Sequence, residues 1–538
     1  MPRLLLLLAA TLLLAPLAAE ETPPYIQFGP MLGHVSSTEA RIWVKATQKA
    51  QLSIQLFGDE HLKEGKTFSG PLLEADSDFM NHAVATDLKP ATRYRYTVLL
   101  NGAPMLAPPL PSFVTAPADG EKTRLRFALV SCLGPDGAMS AAAFGEMSAR
   151  AKFDLLLMLG DQHYANSTVP EKQRAGYYKY RGLAGHAEVT RRTPTYAIWD
   201  DHDFGPNDSD GTADGKENSL IAYKQLWANP AYGEPDNPGC YYKFARGNIA
   251  FFMLDGRYHR TPNNAKDDGK KTMLGEKQLA WIKRELKAST ATVKFVAIGS
   301  EWQSHGTTDS WTSFSRERLE LFNFIEQNAI KGVFLLSGDR HFSGAYHVLN
   351  KWIEVTSGPL GSKNFPTKNL PEMFLNFGEG KMFSIIDVDT TGPQPVLALE
   401  VYRAGYGLVA VRPFTWQEVL GESAIPPLPP TPNPPLAEHP FITVKQAQVL
   451  ITAFHKSNEA PQDKAFKAAW TVINDKYMLY ENGLYFWGPW TLDPEKKSVR
   501  YASDSYVLDA SIDTNDTGKR ALTAIKITPI VRGTAEKK

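Results

Sequence analysis

The chain has only two cysteines, Cys132 and Cys240, in 538 residues. Two thiols in a chain this long cannot supply a disulfide scaffold, so the fold must rest on buried apolar cores with at most one bridge. Neither sign of charge is in excess: lysine plus arginine and aspartate plus glutamate both number 58. A balanced chain has no overall basic field, which argues against nucleic acid as a partner held by bulk charge. Long apolar runs are also missing beyond the first few residues, so no later segment has the length of a transmembrane helix. What is present is 43% hydrophobic and 22% charged, enough to bury roughly two or three substantial cores.

The exception to that last absence lies at the start. Residues 1–19 combine Arg3, an apolar run from Leu4 to Leu14 and the small-residue end Leu17-Ala18-Ala19 before Glu20-Glu21. These are the charge, length and cleavage chemistry of a signal peptide, and the run is too short for a comfortable span. The protein is expected to be exported, secreted or periplasmic, with no stable membrane anchor after cleavage; an uncleaved anchor is the alternative. In an oxidising compartment Cys132 and Cys240 can pair with each other or serve separately.

Periodicity divides the rest. Residues 25–117 carry short alternating strands such as 40–45 and 93–98, separated by turn signals, the pattern of an immunoglobulin or fibronectin type III β-sandwich. Over residues 123–413 strands and helices alternate: 126–131, 154–160 and 333–338 read as buried strands, while 276–286 and 315–328 have helical apolar spacing. A proline-rich linker lies within 420–440, extended and semi-rigid. Residues 441–538 read as a small α+β domain of unknown role, with helices at 443–455 and 465–477 and strands at 498–510 and 521–531. Its aromatics, Tyr485, Phe486, Trp487 and Trp490, suit its own core or a carbohydrate-contact face.

The densest chemistry sits in Trp199-Asp200-Asp201-His202-Asp203-Phe204-Gly205-Pro206-Asn207-Asp208-Ser209-Asp210, five carboxylates, one imidazole and one amide in twelve residues. Carboxylates this crowded repel one another unless protons or a cation neutralise them. A bound metal is the simplest reading, and a solvated acidic turn is its rival. A calcium loop of EF-hand type fails, because the ligand spacing is wrong and no glutamate stands at the twelfth position. Three further apolar strands run into donor residues: one into Cys132, one into Asp161 with Tyr164 three residues on, and one into Asp339-Arg340-His341. Singly these admit plain readings as a buried thiol, a helix N-cap and a turn aspartate beside a core histidine. Jointly they put oxygen, nitrogen and sulfur donors on successive strand ends, where open α/β sheets gather ligands.

Leu159-Gly160-Asp161-Gln162-His163-Tyr164, Trp199-Asp200-Asp201-His202-Asp203 and Ser337-Gly338-Asp339-Arg340-His341 resemble the metal-binding blocks of the alkaline phosphatase D (PhoD-like) family of calcineurin-like metallophosphoesterases. Ser131-Cys132, Leu254-Asp255-Gly256-Arg257-Tyr258-His259-Arg260, Met273-Leu274-Gly275-Glu276-Lys277-Gln278-Leu279-Ala280-Trp281 and Asp309-Ser310-Trp311 support it, and the likeness covers most of residues 25–410. The resemblance implies a four-layer αββα core behind an immunoglobulin-like domain, so the expected fold class is α/β (α+β layered), with the small C-terminal α+β domain appended. It implies that Cys132, Asp161, Tyr164 and Asp339 hold a ferric ion (Fe3+). Asp161 would bridge to one or two divalent ions, calcium (Ca2+) or another, bound with the help of Asp201, Asn207 and His341.

Such a centre lowers the pKa of a coordinated water and binds phosphoryl oxygens, which suits hydrolysis of phosphomonoesters or phosphodiesters. His202 would protonate the leaving group or stabilise the transition state, with Asp200 or Asp203 orienting its ring. Arg257 and Arg340 would clamp the phosphate oxygens, though Arg340 also suits an ion pair. His305, in a loop, lines the site or is solvated. Three features depart from the family: Gln162-His163 replaces a tyrosine-isoleucine pair, Ala165 replaces a common acidic residue, and Gly205-Pro206 lengthens the stretch before Asn207. Competing readings are a phospholipase or phosphotriesterase activity at the same centre, and a non-catalytic cell-surface binding protein.

Overall fold

The computed structural model describes residues 22–58, 64–135, 137–149, 152–303, 307–365 and 372–422, together with strands between 479 and 529. The leader at 1–19, the proline run at 426–435, the helices expected at 443–455 and 465–477, and His305 lie outside the described residues.

Two large sheets form the centre. One contains, in spatial order, Thr195–Ile198, Leu155–Leu159, Arg124–Val130, Met382–Asp389, Val396–Arg403 and Gly407–Phe414, with the hairpin Leu479–Glu481 and Leu484–Phe486 at its far edge. The other runs Tyr242–Arg246, Ile249–Met253, Val293–Ala297, Val333–Ser337, Trp352–Thr356, Ser343–Val348 and Met373–Phe377. Arg124–Val130, Leu155–Leu159 and Thr195–Ile198 pair in parallel, as do Ile249–Met253, Val293–Ala297 and Val333–Ser337. Parallel neighbours need a crossover, and helix Gly137–Ala149 lies between the first two of these strands in the chain. Leu155–Leu159, Val293–Ala297 and Val333–Ser337 are buried at every residue. Strands covered on both faces read as continuous apolar runs, which is how those at 154–160 and 333–338 stand out in the sequence, whereas Val293–Ala297, interrupted by Lys294, does not.

One apolar cluster draws on both sheets. At its centre Phe127 meets Phe251 and Phe295 edge-on, with ring centroids 5.1 and 4.7 Å apart. A second cluster lies between the other face of the second sheet and helices Glu276–Ala288 and Ser315–Gln327. Because the parallel strands share a direction and the sheets are locked face to face, Val130, Leu159, Ile198 and Ser337 bring their following loops to one region.

In the N-terminal segment, Ile26–Val35, Ala40–Ala46 and Met80–Ala85 form one sheet. Lys66–Leu73, Ala50–Phe57, Arg93–Leu100, Ala103–Pro104 and Ser112–Val114 form another, and a single apolar cluster draws on both. Along Ala50–Phe57 the buried residues are Ala50, Leu52, Ile54 and Leu56, the period of two expected of a strand. This segment is tied to two helices of the larger unit through Trp43, whose Nε1 donates to O of Gln225 in helix Lys216–Leu226 at 2.8 Å and whose ring lies 4.0 Å from the guanidinium of Arg181 in helix Pro170–Arg181.

Near the C-terminus the strand expected at 498–510 is two, Ser498–Ala502 and Tyr506–Thr514, in a four-stranded sheet with Trp490–Asp493 and Arg520–Pro529. Ser503-Asp504-Ser505 between them is a run of turn-forming residues.

Phe127 is fully buried, so Phe127→Ala is expected to cost about 3–5 kcal/mol in denaturant unfolding, and a cost under about 1 kcal/mol would contradict a core shared by the sheets. A second expectation concerns acid. His186 and His347 are buried and each has a ring nitrogen without a hydrogen-bond partner. Burial, more than any charge, lowers their pKa from 6.5 to about 3 and about 4. Between those values and 6.5 the unfolded chain binds protons that the folded chain does not. The contribution of these two histidines to stability should therefore be full above pH 6.5 and fall as pH drops toward 4. His186→Phe should flatten part of that fall in denaturant midpoints measured from pH 7 to pH 4.5; an unchanged pH slope would remove His186 from the account.

Candidate metal centre

The strand ends present their donor residues by a shared backbone device. Cys132, Asp161, Asp339 and His341 have φ values of 55°, 56°, 66° and 53°. A left-handed backbone costs a residue with a Cβ about 1–2 kcal/mol, so four in one site amount to strain that only surrounding structure can hold. The glycine before two of these aspartates answers a space requirement. A Cβ on Gly160 would lie 2.5 Å from the Asp200 Cβ; one on Gly338 would lie 2.6 Å from Leu159 O and 2.8 Å from the Ser131 Cβ. Gly338 directly follows a strand of the second sheet, Ser131 directly follows one of the first and Leu159 ends another, so the loops of the two sheets touch here.

The donors converge. Atoms of Cys132, Asp161 and His341 lie within 4.8 Å of one another, as do atoms of Asp161, Asp201 and His202, and of Asp200, Asp201 and Asp339. Asp161 and Asp201 each belong to two of these groups, so the three form one continuous cluster. Tyr164 joins it: its hydroxyl donates to Asp161 Oδ2 at 3.1 Å, lies 3.0 Å from His341 Nε2 and accepts from Ser362 Oγ at 2.6 Å. Asn207 does not join. It is exposed on the turn beyond helix Asp201–Phe204, and none of the described contacts links it to the cluster. Its neighbour Asp208 instead donates a backbone N–H to Asp201 Oδ2 at 2.7 Å. Gly205 and Pro206 separate the helix from Asn207, which carries the amide away. The amide at the site is Asn166, whose Oδ1 is hydrogen-bonded to His202 Nδ1. Sequence reasoning missed it, since an asparagine two residues after Tyr164 looks like any loop residue.

Burial makes the cluster costly without a cation. Cys132, Asp161, Asp200 and Asp201 are at most 2% exposed. Burial first, and neighbouring carboxylates next, push Asp161 well above the carboxylate range. Asp339 rises for the same causes, and the Cys132 thiol and Tyr164 phenol are also raised, burial again leading. Unaided, these groups hold their protons; a metal ion favours the charged forms. Asp161 Oδ1, Asp201 Oδ1, Asp339 Oδ2 and His341 Nδ1 are buried with no hydrogen-bond partner, which native polar atoms seldom lack. Burial lowers the His341 pKa to about 4, leaving a neutral ring with a lone pair to give. Sulfur, nitrogen and several oxygen donors in one buried place fit a site for more than one metal ion.

Three expected roles change. Arg257 is fully buried; its Nε donates to Asp200 Oδ1 at 2.5 Å and its Nη2 to Asp309 Oδ2 at 2.7 Å. A guanidinium without exposed surface and spent on carboxylates is no phosphate clamp; it offsets the charge of Asp200 behind the cluster. Asp200, thus engaged, does not orient His202, a task that Asn166 performs. Asp203 does not orient it either: its carboxylate accepts backbone N–H groups from Gln162 at 2.8 Å, His163 at 3.2 Å and Asp200 at 3.2 Å, pinning two donor loops together. Arg340 is in the ion pair weighed for it, with Nε 3.1 Å from Glu301 Oε2, although the partner is buried rather than at the surface. Gln162, one of the departures from the family pattern, packs the same loop, its Nε2 donating to Ile198 O at 2.8 Å. Both cysteines are free and buried, so they do not pair.

A family model described as PhoD-like phosphatase matches residues 127–419, and one described as a domain of unknown function (DUF7800) matches residues 24–117. Alkaline phosphatase D of Bacillus subtilis (strain 168) is 26% identical over 361 residues, 57% of this chain and 60% of that protein. The match thus spans less than two thirds of that relative's length. Among solved structures, that of PhoD is similar with a TM-score of 0.57 at 20% identity, covering 72% of this chain and 91% of the other. Purple acid phosphatase PPD1 from yellow lupin (Lupinus luteus) seeds is similar with a TM-score of 0.54 at 13% identity, covering 74% and 76%. These likenesses show a mixed α/β fold like that of PhoD and of purple acid phosphatase. The first family model takes in more than half of the 538 residues, and it includes every strand end that carries a donor: the protein belongs to the PhoD-like phosphatase family.

Proposed function

We propose that the protein is an exported, metal-dependent phosphoesterase that hydrolyses phosphomonoesters or phosphodiesters. The observation that carries this is the convergence of Cys132, Asp161, Tyr164, Asp201, Asp339 and His341 on one buried cluster, several of whose donor atoms have no protein partner. Cys132, Asp161, Tyr164 and Asp339 would hold Fe3+, and Asp161, Asp201 and His341 a divalent ion, Ca2+ or another. When bound, such ions supply positive charge for phosphoryl oxygens and lower the pKa of water.

The chain's own residues position and protonate. His202 is partly exposed and its ring lies over Tyr164, with centroids 4.0 Å apart. With Nδ1–H donating to Asn166 Oδ1, Nε2 is the nitrogen left to face a leaving oxygen. It carries a proton to give only in the imidazolium form, which burial disfavours by lowering the His202 pKa and which a developing negative charge on that oxygen would favour. Asp203 holds the two loops in register and Arg257 keeps Asp200 from adding its full charge to the cluster. Convergence of six of the seven expected donors, all but Asn207, argues against a binding protein on a decayed scaffold. The same proposal takes the core as αββα, residues 25–117 as an immunoglobulin-like sandwich, 123–413 as the catalytic unit and 441–538 as an appended α+β unit, with the leader at 1–19 supporting export.

Protein purified without chelator is expected to contain iron and a divalent metal and to hydrolyse a chromogenic monoester or diester; chelation should abolish turnover and added metal restore it. Full activity in metal-free protein would defeat the proposal. Cys132→Ala should lose iron and turnover together, whereas His202→Ala should retain metal and lose about 10²–10⁴-fold in kcat. The two asparagines separate the geometry from the motif: Asn166→Ala should lower kcat about 10-fold or more by freeing the His202 ring, while Asn207→Ala should change it less than about 2-fold. The reverse ranking would return Asn207 to the ligand set.

A further inference from the structure

Beside the carboxylates the site carries a row of rings. Tyr164 lies against His202, with centroids 4.0 Å apart, and 6.4 Å from His341; Phe365 then lies parallel to His341, at 4.6 Å and 6° between planes. Three of these four rings already have a part in the proposed centre. Phe365 has no ligating atom, yet it is 45% exposed in a protein that buries most of its large aromatics.

Its placement is held from several sides. Just before it, Ser362 donates to the Tyr164 hydroxyl, Asn364 Nδ2 donates to Gly380 O at 2.9 Å and to His341 O at 3.4 Å, and Lys381 Nζ donates to Ser362 O. The stretch that carries Phe365 is therefore bonded to two residues of the centre, Tyr164 and His341. With one face of the phenyl ring against the imidazole and 45% of the residue exposed, the ring offers a stacking surface to a ligand. It lies one ring spacing from a residue that would hold a metal. The acidic cluster recognises nothing of what is attached to a phosphate; this ring can.

We propose that Phe365 is a specificity-determining residue that favours phosphoesters bearing a planar ring, such as a nucleobase or an aryl group, over aliphatic ones. This rests on the phosphoesterase reading above, which places the phosphoryl group at the cluster. Stacking of a base on an aromatic side chain tolerates any base, since each has a π-face. The preference is accordingly for a ring and not for a particular base.

The test compares adenosine 5′-monophosphate with ribose 5-phosphate, which share the same primary-alcohol leaving group and differ in the base. The metal-loaded full-length protein should show a kcat/KM ratio favouring the nucleotide by on the order of 10-fold, carried mainly in KM. In Phe365→Leu, which keeps apolar bulk beside His341 but removes the ring, the ratio should fall to about 1, and in Phe365→Trp it should be kept or raised. General damage to the centre would lower both esters alike and leave the ratio unchanged, so a ratio kept in Phe365→Leu overturns the proposal, as does a ratio near 1 in the wild type. If neither monoester is turned over, the monoesterase part of the phosphoesterase reading fails by itself, and titration calorimetry with the same two esters decides the role of the ring. Tighter nucleotide binding that Phe365→Leu abolishes supports it; equal binding overturns it.

Discussion

Negative charge withdrawn from water is the constraint on which this structure depends. Asp161, Asp200, Asp201 and Asp203 are at most 2% exposed, and Asp339 belongs to the same cluster. Two like charges 4 Å apart repel by about 4 kcal/mol at an effective dielectric constant near 20, so such a group is untenable in its charged form without cations. Arg257 answers part of the demand, at 2.5 Å from Asp200 and 3.9 Å from Asp201. The rest falls on protons or on metal. The buried oxygens of Asp161, Asp201 and Asp339 have no hydrogen-bond partner among the protein's own donors, which leaves them available to a cation.

Holding that charge together is the work of apolar packing. The interlocked rings of Phe127, Phe251 and Phe295 set the two sheets against each other, and their spacing sets how closely the loops beyond the strands approach. The approach is close enough that Gly160 and Gly338 leave no room for a side chain. Four donor residues then adopt left-handed backbone, a strain that short loops between packed strands can sustain and an isolated loop could not. Asp203, by taking N–H groups from both donor loops, converts the same packing into a fixed distance between Asp161 and Asp201. Stability and function thus draw on one set of contacts.

Within the family pattern, the chain's departures have local physical uses. Gln162 and His163 stand in the loop between Asp161 and Tyr164, where Gln162 bonds to the end of the neighbouring strand and His163 packs its ring against Tyr177 at 4.4 Å. Gly205 and Pro206 stand between the short helix and Asn207, which is exposed, and the amide beside His202 comes from Asn166.

Much of this was legible in the residues alone. Apolar runs at 126–131, 154–160 and 333–338 are buried strands because nothing but a doubly covered strand tolerates so few polar residues, and the donors that follow them were visible as Cys132, Asp161 and Asp339. The crowding of aspartates at 200–203 likewise announced a need for cations. The roles of Arg257, Asp200 and Asp203 were not legible: a guanidinium that clamps phosphate and one that neutralises a buried aspartate are the same residue in a sequence, and only burial tells them apart. Nor was the choice between Asn166 and Asn207, or the ring of Phe365 stacked on His341, since these are contacts between residues far apart in the chain. The sequence by itself determined which donors exist and at which strand ends they emerge, because local periodicity and composition carry that information. Which of them face one another was decided by the packing of two sheets, a long-range property that no local pattern records.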